Sequence, residues 1–467
     1  MRRLKGNAQK SQRSKERIHL NEHFTYAKLG RFVLPSVIMM VFISVYGIVD
    51  GFFVSNFAGD IPFAALNLIF PFIMILGSVG FMLGTGGNAV VSKVLGEGDK
   101  EKANRIFSML VYTTIAFGVV LSLTGILCVR PVAVLFAASE EGMSAAEKEE
   151  LIEYCVVYAR IILSALPAFM LQNAFQGFFV TAEKARLGLL VTIAAGLGNV
   201  IFDALFVAVF QWGLVGAAFA TALNQILGGV IPLLYFSRKN DSLLRLGKTR
   251  FNGKVLAEVC GNGLSELMTN ISLSFITILY NAQLMSYIGI QGVSAYGIML
   301  YIGFIFVGVF IGYSIGVAPI VGYHYGAKNR HELRNIYTKS LSLIAVVGIV
   351  MTAIAVIFAQ PLSSIFTGDN AELLALTKRG LRIYAVSFLV CGFNIFGSAF
   401  FTALSNGGLS LLISFARTFV FQAIAVLLLP TLWKVDGIWS AAIAAELASL
   451  ILTALLLFLK RKKYGYA

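Results

Sequence analysis

Charge is scarce in this chain: only 13% of its 467 residues are Asp, Glu, Lys or Arg, about half the share of a soluble domain. Histidine is scarcer still. His19, His23, His324 and His331 all fall outside the long apolar runs, which excludes an imidazole relay inside one of them. The four cysteines, Cys128, Cys155, Cys260 and Cys391, are scattered without paired spacing. They read as small hydrophobes, neither a metal site nor a disulfide frame. The run Gly84-x-Gly86-Gly87 has no Lys-Ser/Thr after it, so it is a place for close helix packing and not a phosphate loop. No Asp-rich metal motif, His pair or activated nucleophile is present. The chain therefore reads as a non-enzyme with no cofactor.

What the chain has is apolar length. Hydrophobic residues make up 58%, the mean hydropathy is +0.82, and apolar stretches long enough to cross about 30 Å of hydrocarbon recur throughout. An all-α polytopic membrane protein is the fold class this predicts. Twelve spans are expected, near 29–54, 63–88, 106–130, 154–180, 187–210, 213–236, 260–287, 293–321, 337–366, 380–403, 409–431 and 437–459. The net charge of +14 follows from where the basic residues sit and does not call for nucleic acid. Residues 1–28 form a basic tail, read as uncleaved. Lys93, Lys100, Lys102 and Arg105 follow the second span, and Arg238, Lys239, Arg245, Lys248, Arg250 and Lys254 follow the sixth. Lys328, Arg330, Arg334 and Lys339 follow the eighth, and Lys460 to Lys463 close a second basic tail over 460–467. The connection after the third span is acidic instead, with Glu140, Glu141, Glu147, Glu149, Glu150 and Glu153. Both termini are therefore expected to be cytoplasmic in a cell-membrane protein.

The two halves repeat. Gly96-Glu97-Gly98-Asp99-Lys100 aligns with Gly326-Ala327-Lys328-Asn329-Arg330 at an offset of 230, which also pairs Gly59 with Gly289 and Ala65 with Ala295. Later, Phe178-Phe179 matches Phe400-Phe401, and Gly213-Leu214 matches Gly437-Ile438. Six spans per half is an even number, so both halves enter the membrane from the same side, a parallel repeat. The expected domains are a first lobe over 29–236, a cytoplasmic linker over 237–259 and a second lobe over 260–459.

Polar groups converge inside the first half. Asn199 and Asp203 are four residues apart and share a helix face. Asp203 lies nine residues before the turn at Trp212 and Thr221 nine after it, which puts both roughly 13 Å below one surface. Asp50 lies at a similar depth, counted from the turn at Gly59-Asp60. Two carboxylates at one depth in low dielectric do not both stay ionised cheaply, and binding a proton or a sodium ion relieves that cost. Away from the span ends, three more charges lie in the second half: Glu266, Arg417 and Glu446. Arg417 has a choice of two acids, and a buried ion pair competes with a role in cargo or proton handling. Arg160 sits close enough to the boundary to snorkel.

The chain resembles the MATE (multidrug and toxic compound extrusion) family over roughly 29 to 459. The resemblance rests on Pro35 followed fifteen residues later by Asp50, and on Gly84-Thr85-Gly86-Gly87 leading to Gly96-Glu97-Gly98-Asp99. It rests also on Asn199-x3-Asp203, on Gly213-Leu214-Val215-Gly216-Ala217-Ala218 through Thr221, and on Tyr325-Gly326-Ala327-Lys328-Asn329. It implies two pseudo-symmetric six-helix lobes in a V and an antiporter. Such a protein exports amphipathic or cationic compounds in exchange for H⁺ or Na⁺ by alternating access. It further implies a cation site at Asp50, Asn199, Asp203 and Thr221, able to hold H⁺ or Na⁺. The residues themselves add a hinge: Pro35, together with Gly47 and Gly51 bracketing Asp50, makes the first span easy to distort. The repeat places Tyr280 where the second lobe would need a counterpart of Asp50, which speaks against a second site of that kind. The expected partners are small-molecule substrates and the lipid bilayer, with the chain acting as a monomer. A flippase for a lipid-linked saccharide precursor is the alternative. It would need a cationic cavity, and the first-half spans hold acids and almost no Lys or Arg.

Overall fold

The computed structural model describes residues 18–138, 143–368 and 370–467. Most of the tail read over 1–28, together with Glu140 and Glu141, lies outside them. Among the described residues every regular element is a helix.

Among the described residues nine helices are long and apolar enough to cross a membrane, and a bent pair, Ala145–Ser164 with Leu166–Thr181, makes a tenth candidate. Pro167 sits at the start of the pair's second member, where its missing N–H costs nothing, and the two members meet at 55°. One of the nine, Gly407–Tyr464, has 58 residues, or about 87 Å of helix, too long for one crossing. It breaks at Lys434 (φ 49°) into the eleventh and twelfth spans. The seventh span, Gly253–Tyr287, carries more polar residues than the others and completes twelve. The remaining spans are Tyr26–Phe57, Asp60–Gly96, Lys100–Ala138, Ala185–Val209, Gly213–Ser237, Ile290–Gly326, Arg330–Ile357 and Ala371–Ala403. Most helices outrun the apolar runs read from sequence. The seventh begins at Gly253, inside the stretch read as linker, and the eighth reaches Gly326, which brings His324 into its last turn.

The repeat is visible in the backbone. Left-handed residues recur in pairs: Gly59 with Gly289 and Gly98 with Lys328 at an offset of 230, Glu183 with Ser405 at 222, and Gln211 with Lys434 at 223. Each pair marks the same turn in the two halves. Two apolar cores result, one built mainly from residues 54–259 and one mainly from 276–466.

The halves meet along glycine-lined seams. A Cβ on Gly86 would lie 2.0 Å from the Val259 carbonyl oxygen, and one on Gly263 1.9 Å from that of Met82. A Cβ on Gly96 would lie 1.9 Å from the Tyr323 carbonyl oxygen, and one on Gly326 2.0 Å from that of Lys93. In the second pair the contacts exchange under the offset of 230. The same offset carries Gly86–Gly263 onto Gly316–Val33, where a Cβ on Gly316 would lie 2.9 Å from the Val33 Cβ. Only glycine permits backbones this close. All these contacts lie in the half of the spans nearer the basic connections. Toward the opposite face, Gly47 and Gly297 have nothing within 4 Å of a Cβ. Pro35 is buried inside an unbroken first span, next to Ser36 and Val37, which back onto Gly312.

Candidate functional site

Three helices of the first half bring the polar groups together. Phe42, Tyr46 and Asp50 recur every four residues, so they form one stripe on the first span. The stripe faces Gly196, whose absent side chain leaves room for Phe42 and Tyr46 (2.6 and 2.8 Å from a built Cβ). Further along the same face of the fifth span come Asn199 and Asp203, both fully buried. The sixth span supplies Thr221 and, one turn deeper, Asn224 and Gln225.

Thr221 Oγ1 donates to Asp50 Oδ1 at 3.3 Å. The carboxyl groups of Asp50 and Asp203 lie within hydrogen-bond reach of each other. No neighbouring side chain or backbone donor reaches either Asp203 oxygen, and Asn224 Oδ1, Gln225 Oε1 and Asn199 Nδ2 are likewise buried without a partner. Acceptors outnumber donors here, which is costly in a dry interior unless a proton or a hard cation joins the group. Two carboxylates, an amide and a hydroxyl are the oxygen donors such a cation takes. Immediately after Asp203 the helix widens into a π-turn over Ala204–Val209, a distortion found mostly at functional sites.

The structure therefore brings Asp50, Asp203 and Thr221 together, with Asn199 on the same face one turn from Asp203. Sequence reasoning missed Tyr46, a neighbour of Asn224 and Asp50, and Tyr158 of the bent fourth span, close to both carboxylates. Spacing held the signal for Tyr46 and Asn224, one helical turn from Asp50 and Thr221. Nothing local marks Tyr158, which arrives from a distant span.

In the second half, the choice left open for Arg417 is resolved. Its Nε donates to Glu446 Oε1 at 2.8 Å, and Asn394 Nδ2 donates to Glu446 Oε2 at 2.7 Å and to the Glu446 carbonyl oxygen at 2.9 Å. Arg417 too sits in a π-turn, Ala416–Val420. Glu266 is half-buried and forms no ion pair among the described residues. Tyr280, at the counterpart of Asp50, stacks on Tyr296 (centroids 4.6 Å apart) and donates to Gln422 Oε1 at 2.9 Å. That position in the second lobe is aromatic, where the first lobe carries a carboxylate. Among the described residues no three His, Cys, Asp or Glu side chains gather as metal ligands.

A twelve-span helical membrane protein, built as two repeated halves with a pair of neighbouring acids buried in one of them, falls in the class that includes the secondary transporters. The family model for MatE matches residues 35–205 and 267–428, so the chain belongs to the MatE family. It is 22% identical over 427 residues to the multidrug export protein MepA of Staphylococcus saprophyticus, covering 90% of each chain. With MepA of Staphylococcus haemolyticus it shares 21% over 435 residues, 93% of each. Its fold matches a crystal structure of MATE in complex with MaL6 at a TM-score of 0.88, with 21% identity, over 96% of this chain and 98% of that one. A MOP superfamily transporter from Pyrococcus furiosus, described as having reverse polarity of its binding pocket, matches at 0.87 with 21% identity and the same coverage.

Proposed function

We propose that the protein is a cation-coupled antiporter of the cell membrane. It exports amphipathic or cationic organic compounds in exchange for H⁺ or Na⁺, acts as a monomer, and keeps both termini in the cytoplasm. The single observation that carries this reading is the acceptor-rich cluster of Asp50, Asp203 and Thr221, with Asp203 wholly buried and without a donor. A cation entering from outside satisfies these oxygens, and losing it leaves them unsatisfied, so the site has two states of different packing. Asn199 completes the oxygen set on the fifth span. Pro35, which denies the first span one backbone hydrogen bond, gives that helix a place to flex when the cluster loads. The MepA relatives are named as multidrug export proteins, which supports the cargo class. The glycine seams support a state closed toward the cytoplasm. The boundaries that go with this reading are lobes over 29–236 and 260–459, a cytoplasmic linker between them, and a basic tail at each end.

The flippase alternative finds no support. It needs unneutralised positive charge in the cavity, and Arg417 is spent on Glu446. Glu266, half-buried and outside any ion pair among the described residues, suits a cationic cargo better than a pyrophosphate.

Drug flux in inside-out vesicles, with proton and sodium gradients imposed one at a time, tests the reading. One gradient should drive uptake. Asp203→Asn and Asp50→Asn should each lower the driven flux by roughly tenfold or more, because each removes a charge the ion must neutralise. Wild-type flux in either variant would end the assignment for that residue.

A further inference from the structure

The segment just before the first span does something the transport site does not require. Residues 18–25 lie across the basic face and grip both halves with the same device used twice. His19 Nδ1 meets Glu183 Oε2 at 2.7 Å, and the Leu20 N–H donates to Glu183 Oε1 at 2.8 Å. Four residues on, His23 Nδ1 meets Glu332 Oε2 at 2.7 Å, and the Phe24 N–H donates to Glu332 Oε1 at 2.8 Å. Each carboxylate thus takes a ring N–H and the next backbone N–H. Glu183 sits in the turn between the fourth and fifth spans, in the first half. Glu332 opens the ninth span, in the second.

The segment is built in, not draped. Leu20 and Phe24 are fully buried in the second core. The Phe24 carbonyl oxygen accepts from Asn335 Nδ2 at 2.9 Å and Lys339 Nζ at 2.6 Å. His324, which sequence reading left in a loop, is buried at the end of the eighth span beneath the backbone of Leu20 and Glu22. The stretch before the seventh span repeats the arrangement on the other half. There Thr249 Oγ1 donates to the Arg105 carbonyl oxygen at 2.8 Å, and the Asn252 N–H reaches Met109 Sδ at 3.2 Å. Arg105 and Met109 are the counterparts of Asn335 and Lys339 at the offset of 230.

We propose that residues 18–25 are a latch across the cytoplasmic seam. Its two clips, His19–Glu183 and His23–Glu332, hold the halves together there, and one of them must let go before that face opens. The segment spans a boundary that alternating access has to part, so it cannot stay clipped to both halves in both states. The latch therefore rests on the antiport reading, and it adds a control point: clip strength sets how often the cytoplasmic face opens.

Cys260 is a native reporter. It is half-buried on the seventh span and packs against the first core, so parting the seam uncovers it. Full-length protein in proteoliposomes is exposed on the cytoplasmic face to a membrane-impermeant methanethiosulfonate. Cys260 modification is then read by mass spectrometry, with and without an ion gradient. His19→Ala with His23→Ala should label roughly fivefold faster or more, since each lost charge-assisted hydrogen bond shifts the closed–open balance by at least that factor. His19→Asn with His23→Asn keeps a donor near each Nδ1 and should return toward the wild-type rate. Should the alanine pair not yield folded protein, Glu183→Gln alone weakens one clip and carries the same expectation. Equal rates in wild type and alanine pair, with labelling still responding to the gradient, overturn the latch and leave alternating access standing. Labelling that ignores the gradient in every protein overturns the transport reading, and the latch with it.

Discussion

Two buried charge clusters in this chain differ in how their carboxylate oxygens are satisfied. Glu446 receives Arg417 on one carboxylate oxygen and Asn394 on the other, so both of its carboxylate oxygens are satisfied. Asp203 receives no donor at all. On the proposed reading the Arg417–Glu446 pair is a structural lock, and a double-mutant cycle tests it. Glu446→Gln or Arg417→Met alone strands a desolvated partner and should cost about 3–5 kcal/mol. The two together should recover most of that, with flux largely restored, as read by thermal unfolding in detergent alongside vesicle uptake. A double variant that is stable yet inactive would move the pair from lock to transport machinery. Asp203→Asn should show the converse: no loss of thermal stability, because an unsatisfied carboxylate has been removed, together with the fall in driven flux.

At the scale of helices, glycine decides where the two halves touch. Its legibility in the sequence was partial, for a physical reason. The Gly84–Gly87 run and the repeat at an offset of 230 mark these helices as close-packed, but which glycine meets which backbone depends on rotation about each helix axis. Periodicity carries no such information for a helix that is apolar all round. The same limit explains why depth and family resemblance group Asp50, Asp203 and Thr221 while the pairing of Arg417 stays open: depth counts residues from a turn, whereas pairing needs azimuth. The contrast between glycines is testable. A Cβ at Gly96 would come within 1.9 Å of a carbonyl oxygen, whereas one at Gly47 meets nothing within 4 Å. Gly96→Ala should force the seam apart, raise Cys260 labelling from the cytoplasmic side and lower flux several-fold. Gly47→Ala should leave both unchanged, or add up to about 1 kcal/mol from helix propensity. Equal effects of the two substitutions would mean that the seam is not what glycine is there to permit.

At the scale of the molecule, a fold of two like halves works with unlike contents. The turns, the left-handed residues and the glycine seams recur in both halves, so the scaffold was legible as a repeat from sequence. The chemistry does not recur. Asp50 maps onto Tyr280 at an offset of 230, and Asp203 maps onto Ala425 at 222, so the second lobe lacks both carboxylates. Symmetric rocking about a seam needs matched frames, whereas coupling needs only one lobe to change packing when a cation binds. The number of coupling ions should then be set by the first lobe alone. Tyr280→Asp tests this most sharply, because it places an acid where symmetry would put a second site. The new carboxylate would lose the Tyr296 stack and find Gln422, while the nearby acid Glu446 is already paired with Arg417. It should therefore cost about 3 kcal/mol or more of stability and leave the ion-to-drug ratio, read from the gradient that nulls net flux, where it is in the wild type. A ratio raised by one ion would show that the second lobe is a latent site, and that the asymmetry lies in side chains the frame itself does not require.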